Sequence, residues 1–120
     1  MDDINTICHN DFGIAFQWKR SAAKDFNKIQ LVFKNTGLFL TPDELVQFSK
    51  NMEFTCCEVS AQVNDIDYAS NKLYLLKGPN PQISFALKAM ELQAFKDLIN
   101  GTLFQLGLHK ILASQQVRFN

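Results

Sequence analysis

Phe12, Ile14, Phe16 and Trp18 alternate with Gly13, Ala15, Gln17 and Lys19, the period-two pattern of a half-buried strand. Arg20 to Asn27 reads as a polar connection. Ile29, Leu31 and Phe33 alternate with Gln30, Val32 and Lys34, which predicts a second strand. Asn35-Thr36-Gly37 reads as a tight turn with Gly37 suited to positive φ, and Leu38–Leu40 as a short third strand. The period then changes. Thr41 is a good N-cap, Pro42 suits the first helical position, and Glu44 completes the capping-box spacing. Leu45, Phe48 and Met52 follow at i, i+3 and i+7, one apolar face of a helix.

Alternation resumes at Phe54–Val63, which reads as a strand with Cys57, Val59, Ala61 and Val63 on the core side and Cys56, Glu58, Ser60 and Gln62 on the wet side. Asn64–Asn71 is turn-rich. Lys72–Lys77 and Ile83–Leu87 read as strands, separated by Gly78-Pro79-Asn80-Pro81, where proline cannot serve a central ladder. A helical pattern runs from Ala89 to about Ser114. Glu44-Leu45-x-x-Phe48 recurs as Glu91-Leu92-x-x-Phe95, and Lys28-Ile29-Gln30-Leu31 is echoed by Lys72-Leu73-Tyr74-Leu75. The expected fold is therefore α+β. A largely antiparallel sheet of about six strands carries two helices on one face, in a single domain over 1–120. A βββα unit is duplicated in halves 12–52 and 54–114, or two unrelated amphipathic helices each follow strands. The inner sheet residues expected are Ile14, Phe16, Ile29, Leu31, Phe33, Val59, Ile83 and Phe85.

Asn10-x-x-Gly13, the strand Ile29-Gln30-Leu31-x-Phe33 with Asn35, and Leu38…Glu44…Phe48 together resemble a family of small uncharacterised bacterial proteins, a domain of unknown function. The likeness covers mainly the first fifty residues. Some members carry a cysteine pair in the first hairpin, where this chain has Trp18 and Lys19, so no metal or redox role carries over. The resemblance implies no activity and transfers no functional residue.

Composition narrows the function classes. The chain is 120 residues long and 47% hydrophobic, enough for a packed core. Twelve basic residues balance twelve acidic ones, which argues against a nucleic-acid or anionic-membrane partner, since both need a positive field. No apolar run is long enough to span a membrane. The first ten residues lack the basic start of a signal peptide. Three cysteines, Cys8, Cys56 and Cys57, then suggest reduced thiols and a cytoplasmic setting. Eleven phenylalanines point to a dense core or an oligomer interface rather than a polar cleft.

No convergent chemistry emerges. Cys8-His9, Cys56-Cys57 and His109 supply metal-ligand types, but adjacent strand residues face opposite ways and no zinc spacing is present. No Gly-rich elbow supports a Cys/His nucleophile. Asp65 and Asp67 lack the rest of a calcium loop, and no phosphate-cradling motif occurs. No catalytic, cofactor or metal residue is therefore assigned. Gln17, Gln30, Gln62, Tyr74 and Ser84 form a candidate ligand face, against the plainer reading of a wet sheet surface. The last helix carries two apolar sides. Leu92, Phe95, Ile99, Leu103 and Leu106 form one stripe, and Gly101, Phe104, Leu108, Ile111 and Leu112 form a second, a candidate dimer interface. Alternatively Asn100-Gly101 caps the helix and the second set folds back. The leading expectation is a non-enzymatic interaction or regulatory module that forms a homodimer. The other is a small-molecule-binding protein or enzyme using the polar sheet face or an inter-half cleft.

Overall fold

The structure is a computed structural model that describes residues 4–19, 27–62 and 72–107. Its strands are β1 (Ile4–His9), β2 (Gly13–Trp18), β3 (Ile29–Phe33), β4 (Thr36–Leu40), β5 (Leu73–Lys77) and β6 (Ser84–Lys88). Helix α1 spans Pro42–Gln62 and helix α2 spans Ala89–Leu106. The fold is α+β, and every strand pairing is antiparallel. Six strands are present as expected, but in two sheets rather than one. One has the order β1-β2-β3-β4 and the other is the hairpin β5-β6.

Helix α1 begins where the capping box placed it. The Thr41 N–H donates to Glu44 Oε1 at 2.8 Å, and the Glu44 N–H donates to Thr41 Oγ1 at 3.2 Å. The helix does not stop near Met52 but runs on to Gln62, so residues 54–62 of the expected strand Phe54–Val63 are helical, and Val63 lies outside the described residues. The apolar stripe explains why. Leu45, Phe48, Met52, Thr55 and Val59 recur every three or four residues and are all buried, a face that a strand would split between two sides. Helix α2 is half-boxed. Lys88 has no acceptor side chain, but its N–H donates to Glu91 Oε1 at 2.9 Å. The helix passes unbroken through Gly101 and ends at Gly107, whose φ of 74° places it in the left-handed region. The Gly107 N–H closes on the carbonyls of Leu103 and Phe104. The remainder of the expected helical pattern, from Leu108 to Ser114, lies outside the described residues.

Three local expectations change. The β3–β4 turn falls at Lys34-Asn35, with Lys34 at φ 51°, while Gly37 is inside β4 opposite Val32. Strand β1 was not expected. Its alternation is interrupted by a bulge between Thr6 and Cys8, which turns both Ile7 and Cys8 toward the core and hides the period-two signal. Strand β2 has the opposite phase to the one inferred. Phe16 is opposite Gln30, and Gln30 alternates with fully buried Ile29 and Leu31. Directly opposed residues share a face, so Ile14, Phe16 and Trp18 point away from the core, and Gly13 and Ala15 point into it. Gly13 has no room for a side chain, since a Cβ there would fall 2.4 Å from the Val32 carbonyl of β3, and fully buried Ala15 lies on the face that α2 covers.

Of the expected inner residues, Ile29, Leu31 and Phe33 are buried in the core, and Phe85 packs against it. Val59 is buried from α1 rather than from a strand, and Ile83 is exposed. A knot of phenylalanines holds the two sheets and two helices together. Phe33 of β3 lies 4.4 Å from Phe95 of α2, 5.4 Å from Phe85 of β6 and 5.5 Å from Phe12, ring centre to ring centre. Phe48 of α1 meets Phe95 at 5.5 Å and Phe85 at 6.0 Å. Such pairs add about 0.5–1.5 kcal/mol each beyond their buried area. A hairpin followed by a helix occurs twice, as β3-β4-α1 and β5-β6-α2. The first half adds β1 and β2, with no counterpart among the described residues of the second, so a duplicated βββα unit is not what the topology displays.

Candidate functional site

The two candidate sets of residues are placed differently from expectation. Gln30 lies on the outer face of the four-stranded sheet, whereas Gln17, one residue from Phe16, lies on the inner face. Gln62 ends α1. Tyr74 turns inward from β5, and its hydroxyl is buried with no hydrogen-bond partner among the described residues. Ser84 is exposed on the other side of the hairpin. These five therefore do not form one ligand face. In the candidate dimer set, Phe104 is 66% exposed, but Gly101 is turned toward Cys8 of its own chain. Leu108, Ile111 and Leu112 lie outside the described residues.

Among the described residues no three of His, Cys, Asp and Glu come together as a metal site would require. Cys8 is half-buried against the core while the adjacent His9 is exposed, and His109 is outside the described residues. Cys56 is half-buried and Cys57 exposed, the reverse of the strand reading, because on a helix Cys56 follows the Met52–Val59 stripe. Burial pushes the Cys56 thiol above its ordinary value, with Lys96 pulling against it and Glu53 adding to the rise. A thiol held neutral in this way is a poor nucleophile.

Two surfaces remain. The first is the outer face of the four-stranded sheet, where two rows cross the strands. One runs Thr6, Phe16, Gln30, Phe39, and the next His9, Ile14, Val32, Gly37. Phe16 is buried yet stands apart from the core cluster, edge-on to Trp18 at 5.1 Å. Trp18, Val32 and Phe39 are 43%, 36% and 39% exposed, which is unusual for large apolar groups sharing one face. Gln30 is pinned flat among them. It accepts from Trp18 Nε1 at 3.3 Å and donates to the Leu38 carbonyl at 3.2 Å. Gly37 leaves it room, since a Cβ there would press on Gln30 Nε2 at 3.2 Å. Lys28 holds its ammonium 5.2 Å above the Phe39 ring.

The second surface is a groove of about 500 Å³ between α1 and the β5–β6 hairpin. Lys50, Phe54 and Glu58 lie one turn apart on its helical wall, and Leu75, Lys77 and Ser84 form the opposite wall. Phe54 and Leu75 are 66% and 71% exposed. Reading 54–63 as a strand hid this wall. The available signal was Phe54 itself, an aromatic residue six positions after Phe48 and off the buried stripe. No described helix is long and apolar enough to cross a membrane. Compared with known proteins, the chain matches no family model, no curated protein and no solved structure.

Proposed function

We propose that this protein is a small non-enzymatic interaction module that pairs with a second copy of itself through the outer face of its four-stranded sheet. The observation that carries the reading is the shared exposure of Trp18, Val32 and Phe39 around the uncharged amide of Gln30. Sheets commonly pack face to face through such apolar rows, and a two-fold interface requires one patch to complement itself. The rows are apolar apart from Gln30, Thr6 and His9, and the one cation described on the patch, Lys28, lies over the Phe39 ring. The three free thiols suit a reducing compartment such as the cytoplasm.

Sedimentation equilibrium tests this reading. The wild-type chain is expected at twice 13.7 kDa at micromolar concentration. Phe39→Glu or Val32→Glu is expected to give a folded monomer, because both side chains already reach solvent. Phe104→Glu should leave the dimer intact. A monomeric wild type overturns the proposal, and a monomeric Phe104→Glu moves the interface to α2.

A further inference from the structure

The groove beside α1 borders a strand edge whose hydrogen-bonding groups can be assigned. The Gly78 N–H donates to the Ile83 carbonyl at 2.8 Å, so Gly78 and Ile83 form a bonded pair of the hairpin. Bonded and non-bonded pairs alternate along an antiparallel ladder. The pairs Lys77–Ser84, Leu75–Ala86 and Leu73–Lys88 are therefore non-bonded, and Leu73, Leu75 and Lys77 direct their N–H and C=O groups away from β6. One contact agrees with this assignment. The Lys77 carbonyl accepts from Asn51 Nδ2 of α1 at 3.4 Å, and the neighbouring Gly78 carbonyl accepts from the same nitrogen at 3.2 Å. Asn51 thus closes the groove at its Lys77 end. From Leu75 to Leu73 no strand pairs with this edge among the described residues.

The side chains around this edge add a second constraint. Leu73 and Leu75 are 56% and 71% exposed, and Phe54 of α1 shares the groove with Leu75. Lys50 and Lys77 line the groove, and Glu58 is the one acidic group among its described lining residues. Lys88, opposite Leu73 in the ladder, adds a further positive charge on the same side of the hairpin. The described residues therefore place lysine side chains around an apolar trough and an open strand edge.

We propose that this groove takes up an extended peptide segment of a partner protein, bearing apolar and acidic side chains, added to β5 as a further strand. Main-chain bonds to Leu73 and Leu75 would supply affinity. Apolar side chains would meet Phe54 and Leu75, and carboxylates would meet Lys50 and Lys77. The site is separate from the outer sheet face and goes beyond the self-association proposed above.

The test uses the full chain and short capped peptides labelled with fluorescein, read by anisotropy. One alternates Leu with Glu, a second has Lys in place of Glu, and a third repeats the first with alternate backbone nitrogens methylated. The acidic peptide is expected to bind at least about tenfold more tightly than the basic one. The doubly reversed variant Lys50→Glu/Lys77→Glu should invert that order. The methylated peptide should lose binding, since it cannot complete the ladder. Equal binding of acidic and basic peptides, an unchanged order in the variant, or no binding overturns the proposal. So does full binding of the methylated peptide, which would exclude strand addition. If Leu75→Glu, rather than Phe39→Glu, abolishes wild-type dimerisation, a second copy occupies the groove and both assignments fail separately.

Discussion

Gly101 of α2 lies directly against Cys8 of β1, so that a Cβ at position 101 would sit 2.6 Å from the Cys8 Sγ. The missing side chain therefore serves an internal contact between helix and strand. Glycine in a helix interior costs about 1 kcal/mol relative to alanine, and here the close approach compensates for it. Gly101→Ala should destabilise the protein through overpacking, which typically costs about 1–3 kcal/mol. Cys8→Ala removes the clashing sulfur, and its Cβ would remain at an ordinary 3.8 Å. In that background Gly101→Ala should become neutral or stabilising by up to about 1 kcal/mol. Urea unfolding of the four proteins of this cycle measures the coupling. Additive effects would show that the helix does not approach β1 this closely.

The thiols test the helical reading of residues 54–62. Cys57 is exposed, while Cys56 and Cys8 are half-buried against the core. Cys57 should therefore react first with a thiol reagent in the native state. Cys56 should lag further, because desolvation raises its pKa more than Lys96 lowers it. Its labelling should accelerate only at a pH above the ordinary thiol range. The linkage has the same sign. The folded state favours neutral Cys56, so its contribution is retained below the unfolded thiol pKa and is lost as pH rises through the folded value. Mass mapping of the modified peptides over time decides the order. Cys56 ahead of Cys57 would return this segment to a strand.

Local chemistry was legible wherever it outweighed tertiary context. Thr41, Pro42 and Glu44 located the start of α1, and the Gly78–Pro81 turn located the β5–β6 hairpin, because caps and turns act over a few residues. Three features were not legible, for physical reasons. Cys57, Val59, Ala61 and Val63 alternate as a strand would, but Val59 also continues the buried stripe from Leu45, and packing decided between the periods. Large residues in β2 pointed to the wrong face because the inner face holds Gly13, crowded by the β3 backbone, and Ala15, fully buried on the side that α2 covers. The bulge at Thr6/Cys8 removed the alternation by which β1 would have been recognised. The outer sheet face was missed as a consequence of the β2 phase, and the groove as a consequence of the α1 boundary.

Glu91 ties the start of α2 to the β3–β4 turn. Partial burial alone would raise its carboxyl pKa. The Lys34 ammonium at 2.7 Å and the Lys88 N–H at 2.9 Å outweigh that effect and hold it below the usual carboxylate range. A lowered folded pKa means that the unfolded chain binds the proton more readily. The contribution is therefore present above the unfolded pKa and is lost as pH falls through the folded value. Because Lys34 is well exposed, the pair is worth about 0.2–1 kcal/mol. Glu91→Gln keeps an acceptor for the Lys88 N–H and loses the charge. It should be less stable than wild type by that amount near neutral pH and equal to it in strong acid. A pH-independent difference in urea midpoints would assign the effect to packing.

Asn10 makes the turn between β1 and β2 and docks it on α2 with a single side chain. Its Oδ1 accepts from the N–H groups of Phe12 at 2.9 Å and Gly13 at 3.2 Å, while its own N–H donates to the Gly13 carbonyl at 3.0 Å. These bonds fix the amide orientation and direct Nδ2 to the Ala94 carbonyl of α2 at 2.8 Å. Gly13 completes the arrangement, since a Cβ there would fall 2.4 Å from the Val32 carbonyl. The Asn10-x-x-Gly13 spacing is thus explained by structure. Asn10→Asp separates the two functions of the side chain. A carboxylate still accepts both turn bonds but faces the Ala94 carbonyl with no proton to donate. Loss of that donor and the opposed oxygens should cost about 1–3 kcal/mol near neutral pH. The new carboxyl should show a raised pKa, because its protonated form restores the donor. The deficit should therefore shrink as pH falls through that value, a dependence that Asn10→Ala, lacking turn and docking bonds alike, should not show. Urea midpoints of wild type and both variants across the acid range make the comparison. An Asn10→Asp protein as stable as wild type near neutral pH would mean that the bond to Ala94 does not hold the turn against α2.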